Sequence, residues 1–110
     1  MEKIVQQGIL YDYYGSLLTG HQQQIYEDAV SNDLSLSELA DEYGITRQGI
    51  HDLIRRCDKI LADYEDKLGC IKRDRELRNK AEEIVRACDA GDTGRVKDLA
   101  SELAGLLNSP

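Results

Sequence analysis

Hydrophobic residues recur every three or four positions along most of the chain, which is the spacing of one face of an α-helix. Runs of alternating β-branched residues, the pattern of a strand, are absent. Start and stop signals divide the chain into five or six helical segments. The predicted helices span about residues 2–14, 20–30, 36–43, 47–68, 71–90 and 93–107. The pattern therefore predicts an all-α fold.

Two of these helices begin with a capping box, in which a hydroxyl side chain and a residue three positions later satisfy free backbone groups. Thr19 precedes Gln22 by three positions, and Ser35 precedes Glu38 by the same distance. Gly44 follows the short third helix and is expected to adopt the left-handed conformation that ends it. Residues 36–43 are therefore predicted to be a helix of two turns with a defined start and end.

The segment from residue 36 to residue 55 has the pattern of a helix-turn-helix motif. A small residue at Ala40 lets the third and fourth helices approach, and Gly44 accepts the positive φ of the tight turn. The hydrophobic positions are expected to pack against the second helix. Two helices joined so tightly leave the N-terminal face of the second one exposed. The positions that carry the pattern are Leu39, Ala40, Gly44, Ile45, Ile50 and Leu53.

The predicted fourth helix has heptad spacing, because five of its hydrophobic residues are separated alternately by three and four positions. These residues are Ile50, Leu53, Cys57, Ile60 and Tyr64, with Ile54, Leu61 and Leu68 widening the stripe. The fifth helix is predicted to bury Leu77, Ala81, Ile84, Val85 and Cys88, and the sixth Val96, Leu99, Ala100, Leu103, Leu106 and Leu107. This apolar surface is more than a small three-helix core requires.

Two arrangements account for the surplus apolar surface. In the first, residues 1–69 form a helix-turn-helix domain, and residues 70–110 form a C-terminal helical hairpin that packs on it. In the second, the apolar faces meet those of another copy of the chain, which makes a homodimer. The length of 110 residues suits one domain rather than two.

Composition changes this picture mainly through charge. The chain carries a formal net charge of -7, which argues at first against a nucleic-acid-binding protein. Residues 1–44 contain one basic and eight acidic residues, whereas residues 45–110 contain 13 of each. Within residues 67–80, six basic residues face two acidic ones. The acidic excess therefore precedes the fourth helix, and nucleic-acid contact has to be local.

Other classes of function receive little support. Cys57, Cys70 and Cys88 are widely spaced and odd in number, so we expect buried or half-buried thiols rather than disulfides. With only His21 and His51 beside them, no metal site and no cofactor is predicted. No nucleophile has a base in reach, so the protein is not expected to be an enzyme. The N-terminus lacks the pattern of a signal peptide, which predicts a cytoplasmic protein.

The exposed face of the fourth helix is the candidate nucleic-acid-binding site. Thr46 and Arg47 at the helix start suit phosphate contact, because a helix N-terminus attracts anions. Gln48, His51 and Asp52 have side chains that can reach base edges. A solvated face with an arginine-rich end is the alternative, since Asp52 and Asp58 weaken the positive field. The candidate residues are Thr46, Arg47, Gln48, His51, Asp52, Arg55, Arg56 and Lys59.

Four stretches resemble the YlxM family of small bacterial helix-turn-helix proteins, over about residues 9–69. They are residues 10–19 (LYDYYGSLLT), 34–40 (LSLSELA), 45–56 (ITRQGIHDLIRR) and 61–68 (LADYEDKL). Residues 17–61 also resemble region 4 of bacterial sigma factors, the part that reads promoter DNA. The resemblance implies an all-helical fold of the sigma region 4 type, no catalytic activity, and participation in the signal recognition particle pathway.

Two functions are consistent with these observations. The first is a regulator that binds DNA, or the RNA of the signal recognition particle, through the fourth helix. The second is an adaptor that binds the particle's GTPase or its receptor, with the acidic first three helices facing a basic partner. Tyr11, Tyr13, Tyr14 and Tyr26 could stack on bases, but core packing with the hydroxyl at the boundary is the expected role.

Overall fold

The computed structural model describes residues 2–108, and within that range it contains helices and no strand. The all-α prediction is confirmed. The helices are α1 (Lys3–Tyr14), α2 (Gly20–Val30), α3 (Leu36–Tyr43), α4 (Arg47–Leu68), α5 (Cys70–Asp89) and α6 (Thr93–Asn108), with a short 3-10 helix at Gly15–Leu17. Among residues 2–108, no helix is long and apolar enough to cross a membrane.

The chain divides into two compact units at the junction of α4 and α5. The first unit contains α1 to α4, and the second contains α5 and α6. The packing of residues 70–110 on residues 1–69, and the likeness of the first unit to sigma region 4, stay predictions.

The predicted caps form as the sequence indicates. In both capping boxes the hydroxyl accepts from the backbone three residues later, and the Gln22 or Glu38 side chain accepts from the cap residue's own N–H. Gly44 ends α3 with φ of 66° and ψ of 31°. This left-handed conformation suits glycine because a Cβ atom would crowd the following carbonyl. The caps thus account for helix ends that agree with the prediction within about two residues.

The helix-turn-helix core is a cluster of three fully buried side chains, one from each of three helices. Ile25 of α2, Leu39 of α3 and Ile50 of α4 are all 0% exposed. Partly buried side chains, including Ala40 and Ile45, surround them. This cluster holds α3 and α4 at the angle that leaves the start of α4 on the surface.

Gly15 is needed for a close approach rather than for a left-handed turn. Its φ is -57°, and α1 passes directly into the 3-10 helix. A Cβ atom at Gly15 would lie 2.7 Å from the ring of Tyr11. The ring therefore occupies the space that any larger residue would need.

Two alanine substitutions in this part of the chain should have opposite effects. Gly8→Ala adds a Cβ with nothing within 4 Å, and it removes the backbone freedom of a helical glycine. We expect about 0.5–1 kcal/mol more free energy of unfolding. Gly15→Ala should lower it by about 1–3 kcal/mol because the Tyr11 ring must move. Urea denaturation measures both, and equal signs for the two variants would contradict this packing.

Carboxylates of α4 lie on its inner side, where they accept hydrogen bonds from tyrosines. Tyr26, 0% exposed, donates to Asp58 Oδ1 at 2.5 Å, and Gln7 Nε2 donates to the same oxygen at 2.9 Å. Tyr14 donates to Glu65 Oε1 at 2.5 Å. The buried rings of Tyr14 and Tyr26 pack in the core with their hydroxyls at its edge, as the sequence predicted, and Tyr11 is half-buried. The same prediction is wrong for Tyr13, which is 39% exposed. The charge of Asp58 is directed at α1 and α2 rather than at the exposed face of α4.

Replacing Tyr26 by Phe should change how stability depends on alkaline pH. Burial, and then the hydrogen bond to Asp58, raises the pKa of Tyr26 above its ordinary value. The unfolded chain therefore loses this proton first, and the stabilisation, complete below about pH 10, is lost as the pH rises further. Tyr26→Phe should remove up to about 1.4 kcal/mol per pH unit of that slope. Chemical denaturation at several alkaline pH values measures it, and an unchanged slope would contradict this role.

In the second unit, α5 and α6 pack against each other, and Lys80 donates from Nζ to Glu102 Oε2 at 2.6 Å. Leu99 is 1% exposed and Ala87 is 8% exposed. The predicted α6 face is largely correct, but Ala100 and Leu107 are exposed.

The predicted apolar face of α5 is partly wrong. Leu77 and Ile84 are half-buried as expected, but Ala81, Val85 and Cys88 are exposed. The buried face follows Leu77, Ile84 and Ala87, so it is rotated from the predicted stripe toward Ala87 and away from the three exposed residues. The small side chain of Ala87 lies on this buried side of α5.

Two further predictions of burial are corrected. Cys57 is 0% exposed and burial raises the pKa of its thiol to about 11, but Cys70 and Cys88 are exposed. Leu68, at the C-terminal end of α4, is 59% exposed although it continues the hydrophobic stripe. Within the first unit, the hydrophobic stripe of α4 is therefore longer than the part of α4 that α1, α2 and α3 cover.

Candidate nucleic-acid interface

The start of α4 is held by three local features. Gly44 turns the chain in the left-handed conformation, and the Thr46 hydroxyl oxygen accepts from the backbone N–H of Gly49 at 3.0 Å. A Cβ atom at Gly49 would lie 2.7 Å from Cγ2 of Ile45, so glycine lets the first turn of α4 sit close to the preceding residue. The first turn is therefore defined in position before any partner binds.

All eight predicted interface residues are exposed, on the N-cap of α4 and along the helix from Arg47 to Lys59. Gln48, Asp52, Arg55 and Lys59 follow one another at spacings of four, three and four, so they lie in one row along the helix. The opposite side of α4 is occupied by the buried residues of the core. The eight exposed residues are Thr46, Arg47, Gln48, His51, Asp52, Arg55, Arg56 and Lys59. Their role in binding stays a prediction.

This face carries positive charge that the protein itself does not neutralise. Within residues 2–108, Arg47, Arg55 and Arg56 form no ion pair, and Lys59 has a 3.6 Å contact with Asp63. Asp58 is half-buried beneath the helix, as described above. Of the two aspartates predicted to weaken the positive field of this face, only Asp52 is exposed on it.

Asp52 orients Gln48 on the same face and lies near His51. Nε2 of Gln48 donates to Oδ1 of Asp52 at 2.8 Å, and Nδ1 of His51 lies 3.7 Å from the same oxygen. The Gln48 amide is thereby held with one N–H and its Oε1 available to a partner. Side-chain order of this kind lowers the entropy that binding has to remove.

An open cleft of about 410 Å³ lies where the starts of α3 and α4 meet. It is lined by Leu36, Arg47, Gln48 and His51. Leu36 is half-buried and was missed as an interface residue, because in the sequence it only continues the hydrophobic pattern. Its position directly after a capping residue, at the start of the first helix of the motif, is the signal that could have found it.

A second open cleft, of about 490 Å³, lies between α2 and α3 and is acidic. Its lining includes Glu27, Asp28, Glu42 and Tyr43. Tyr43 donates to Asp28 Oδ2 at 2.6 Å, and this hydrogen bond with that from Asn32 lowers the pKa of Asp28. The same bond raises the pKa of Tyr43 to about 12. Among the described residues, no cluster of side chains could hold a metal ion.

Known proteins resemble the chain over nearly its whole length. A family model described as "Putative helix-turn-helix protein, YlxM / p13 like" matches residues 1–99. A UPF0122 protein of Clostridium novyi is 42% identical over 111 residues, covering 99% of this chain and 96% of the relative. One from Desulforamulus reducens is 36% identical over 99 residues, covering 90% and 85%. One from a Thermoanaerobacter species is 41% identical over 81 residues, covering 74% and 69%.

Proposed function

The chain belongs to the YlxM/p13-like helix-turn-helix family, and from this premise we propose that it is a non-enzymatic regulator that binds duplex DNA. The contact is made by the exposed face of α4. One observation carries the proposal: this face presents Arg47, Arg55 and Arg56, which form no ion pair with any residue from 2 to 108, beside an oriented Gln48. Arginines so placed contact phosphates, and polar side chains between them contact base edges.

Duplex DNA fits this face better than duplex RNA does. The major groove of B-form DNA, about 12 Å wide, admits an α-helix. The major groove of A-form RNA is deep and narrow, and side chains cannot read it. The exposed face of α4, on which Gln48, His51 and Asp52 are available to base edges, therefore suits the DNA groove.

A titration of the full chain with random-sequence DNA duplexes tests the proposal. Binding should be tight at about 50 mM salt and weaken by orders of magnitude at about 200 mM, because phosphate contacts release counterions. A duplex RNA of equal length is the comparison, and the RNA of the signal recognition particle is a third probe. Absence of DNA binding at both salt concentrations would refute the proposal, and preference for either RNA would replace DNA as the ligand.

A role in the signal recognition particle pathway is the finer part of the proposal. It is supported by the family resemblance. Co-purification from cells, followed by identification of the bound nucleic acid and proteins, tests it. Recovery of the particle's RNA or proteins would support the pathway role, and recovery of chromosomal DNA alone would contradict it.

A protein adaptor is the second candidate function, and the acidic surface of α2 and α3 favours it. Residues 27–42 contain six acidic and no basic residues, and the open acidic cleft lies there. Such a surface steers a basic protein partner. Pull-down with purified signal recognition particle, with and without its RNA, separates the two functions. Capture that survives removal of the RNA favours the adaptor, and capture that needs the RNA favours nucleic-acid binding.

A further inference from the structure

The cleft between the starts of α3 and α4 combines an apolar side chain with an oriented amide. We propose that these two side chains recognise A·T base pairs of the DNA, at one pair or at two neighbouring pairs. Gln48 forms hydrogen bonds with adenine, and Leu36 contacts the methyl group of thymine. The inference rests on the proposed function, since it assumes that α4 enters the major groove. It adds a base preference and two residues that determine it.

The hydrogen bond between Gln48 and Asp52 decides what the amide can still recognise. Because one hydrogen of Nε2 is donated to Asp52 Oδ1 at 2.8 Å, the amide offers one remaining N–H donor and the Oε1 acceptor. Adenine presents the complementary pair in the major groove, the N7 acceptor and the N6 donor. Guanine presents two acceptors there, so Oε1 would face the O6 oxygen and remain without a donor.

Leu36 supplies the apolar contact beside that amide. It lines the same cleft as Gln48, and it is half-buried against the core cluster, so its position is set by packing. Thymine is the DNA base that carries a methyl group in the major groove, and apolar side chains recognise it there. Cytosine and uracil lack this methyl group, so the cleft disfavours both. The cleft thus distinguishes a thymine-containing DNA pair from the corresponding RNA pair.

The other two residues that line the cleft are compatible with recognition of an A·T pair. Arg47 and His51 stand at its sides, and both are exposed. Arg47, in the first turn of α4, can contact a DNA phosphate beside the recognised base pair, and such contacts fix the position of a protein along the duplex. The two base-reading residues come from different helices of the motif, so the preference depends on the α3–α4 turn.

Base analogues in the DNA test the inference without altering the protein. Duplexes bound by the wild-type chain are first selected from a random DNA library. In the selected sequence, 2′-deoxyuridine then replaces each thymidine in turn, and 7-deazaadenine replaces each adenine. At one A·T pair or at two neighbouring pairs, loss of the methyl group should weaken binding about three-fold or more. Loss of N7 should weaken it about five-fold or more.

A variant connects the adenine effect to its residue. Gln48→Ala should abolish the sensitivity to 7-deazaadenine and retain the sensitivity to deoxyuridine. Gln24→Ala, at an exposed glutamine of α2, is the matched control and should retain both. The methyl group is deleted from the DNA instead of from the protein because Leu36 packs against the core, and its removal would also lower stability.

The outcomes separate this inference from the proposed function. Tight DNA binding with no enriched sequence, or with no sensitivity to either analogue, overturns the A·T preference and leaves DNA binding intact. A 7-deazaadenine effect that persists in Gln48→Ala overturns the assignment of Gln48. Absence of DNA binding at low salt refutes the proposed function, and the inference with it.

Discussion

Reversing the charges of Arg55 and Arg56 to glutamate is expected to abolish measurable DNA binding, with a loss of about 100-fold or more at low salt. Both side chains are exposed on α4 and form no ion pair among the described residues, so their charge is available to phosphates. Removing two phosphate contacts should also reduce the slope of log affinity against log salt by about two. Fluorescence anisotropy with a labelled duplex measures the affinity and the slope together.

A matched charge change elsewhere provides the control for this variant. Arg86→Glu combined with Lys97→Glu alters the net charge equally, at exposed residues of α5 and α6. This control should bind DNA with an affinity within a few-fold of the wild type, because neither residue belongs to the proposed interface and salt screens a change of net charge alone. Equal losses for both variants would mean that overall charge, rather than the α4 face, governs binding.

Replacing Ile50 by alanine is the substitution expected to cost the most stability. Ile50 is 0% exposed and joins Ile25 and Leu39 in the core cluster. Deleting three carbons there removes buried apolar surface and leaves a cavity between α2, α3 and α4. We expect the free energy of unfolding to fall by about 3 kcal/mol. Because this cluster sets the position of α4, DNA binding should weaken as well.

Tyrosine fluorescence during urea denaturation measures this loss in the first unit alone. All six tyrosines of the chain lie in residues 1–69, so α5 and α6 contribute no tyrosine signal. Leu17→Ala is the control, since Leu17 is 53% exposed and should change the free energy of unfolding by no more than about 0.5 kcal/mol. A similar small effect for Ile50→Ala would contradict the position of Ile50 at the centre of the core.

Helix ends were the most predictable part of this fold, because local chemistry determines them. Thr19 and Ser35 satisfy backbone groups only a few residues away, and Gly44 relieves a steric conflict within its own residue. Neither effect depends on what the helices pack against. The exposed residues from Gln48 to Lys59 on α4 were predictable for a related reason, since helical periodicity places them away from Ile50 and Cys57.

The roles within the candidate site were less predictable. The cleft forms because the starts of α3 and α4 converge, and Leu36 lines it from one side while Gln48 lines it from the other. No spacing in the sequence relates these two residues. The hydrogen bond that orients Gln48 was accessible in principle, since Asp52 follows four positions later on a helix.

The sequence by itself determined the ends of the helices and the face of α4 that meets solvent, because each depends on neighbours within about four residues. Only the tertiary structure decided which residues depart from the pattern of buried hydrophobic and exposed polar positions. Asp58 is accommodated on the inner side of α4 because Tyr26 and Gln7 donate hydrogen bonds to it, and on α5 the small Ala87 is buried whereas the larger Val85 is exposed. Such choices are set by partners distant along the chain, so no local pattern contains them.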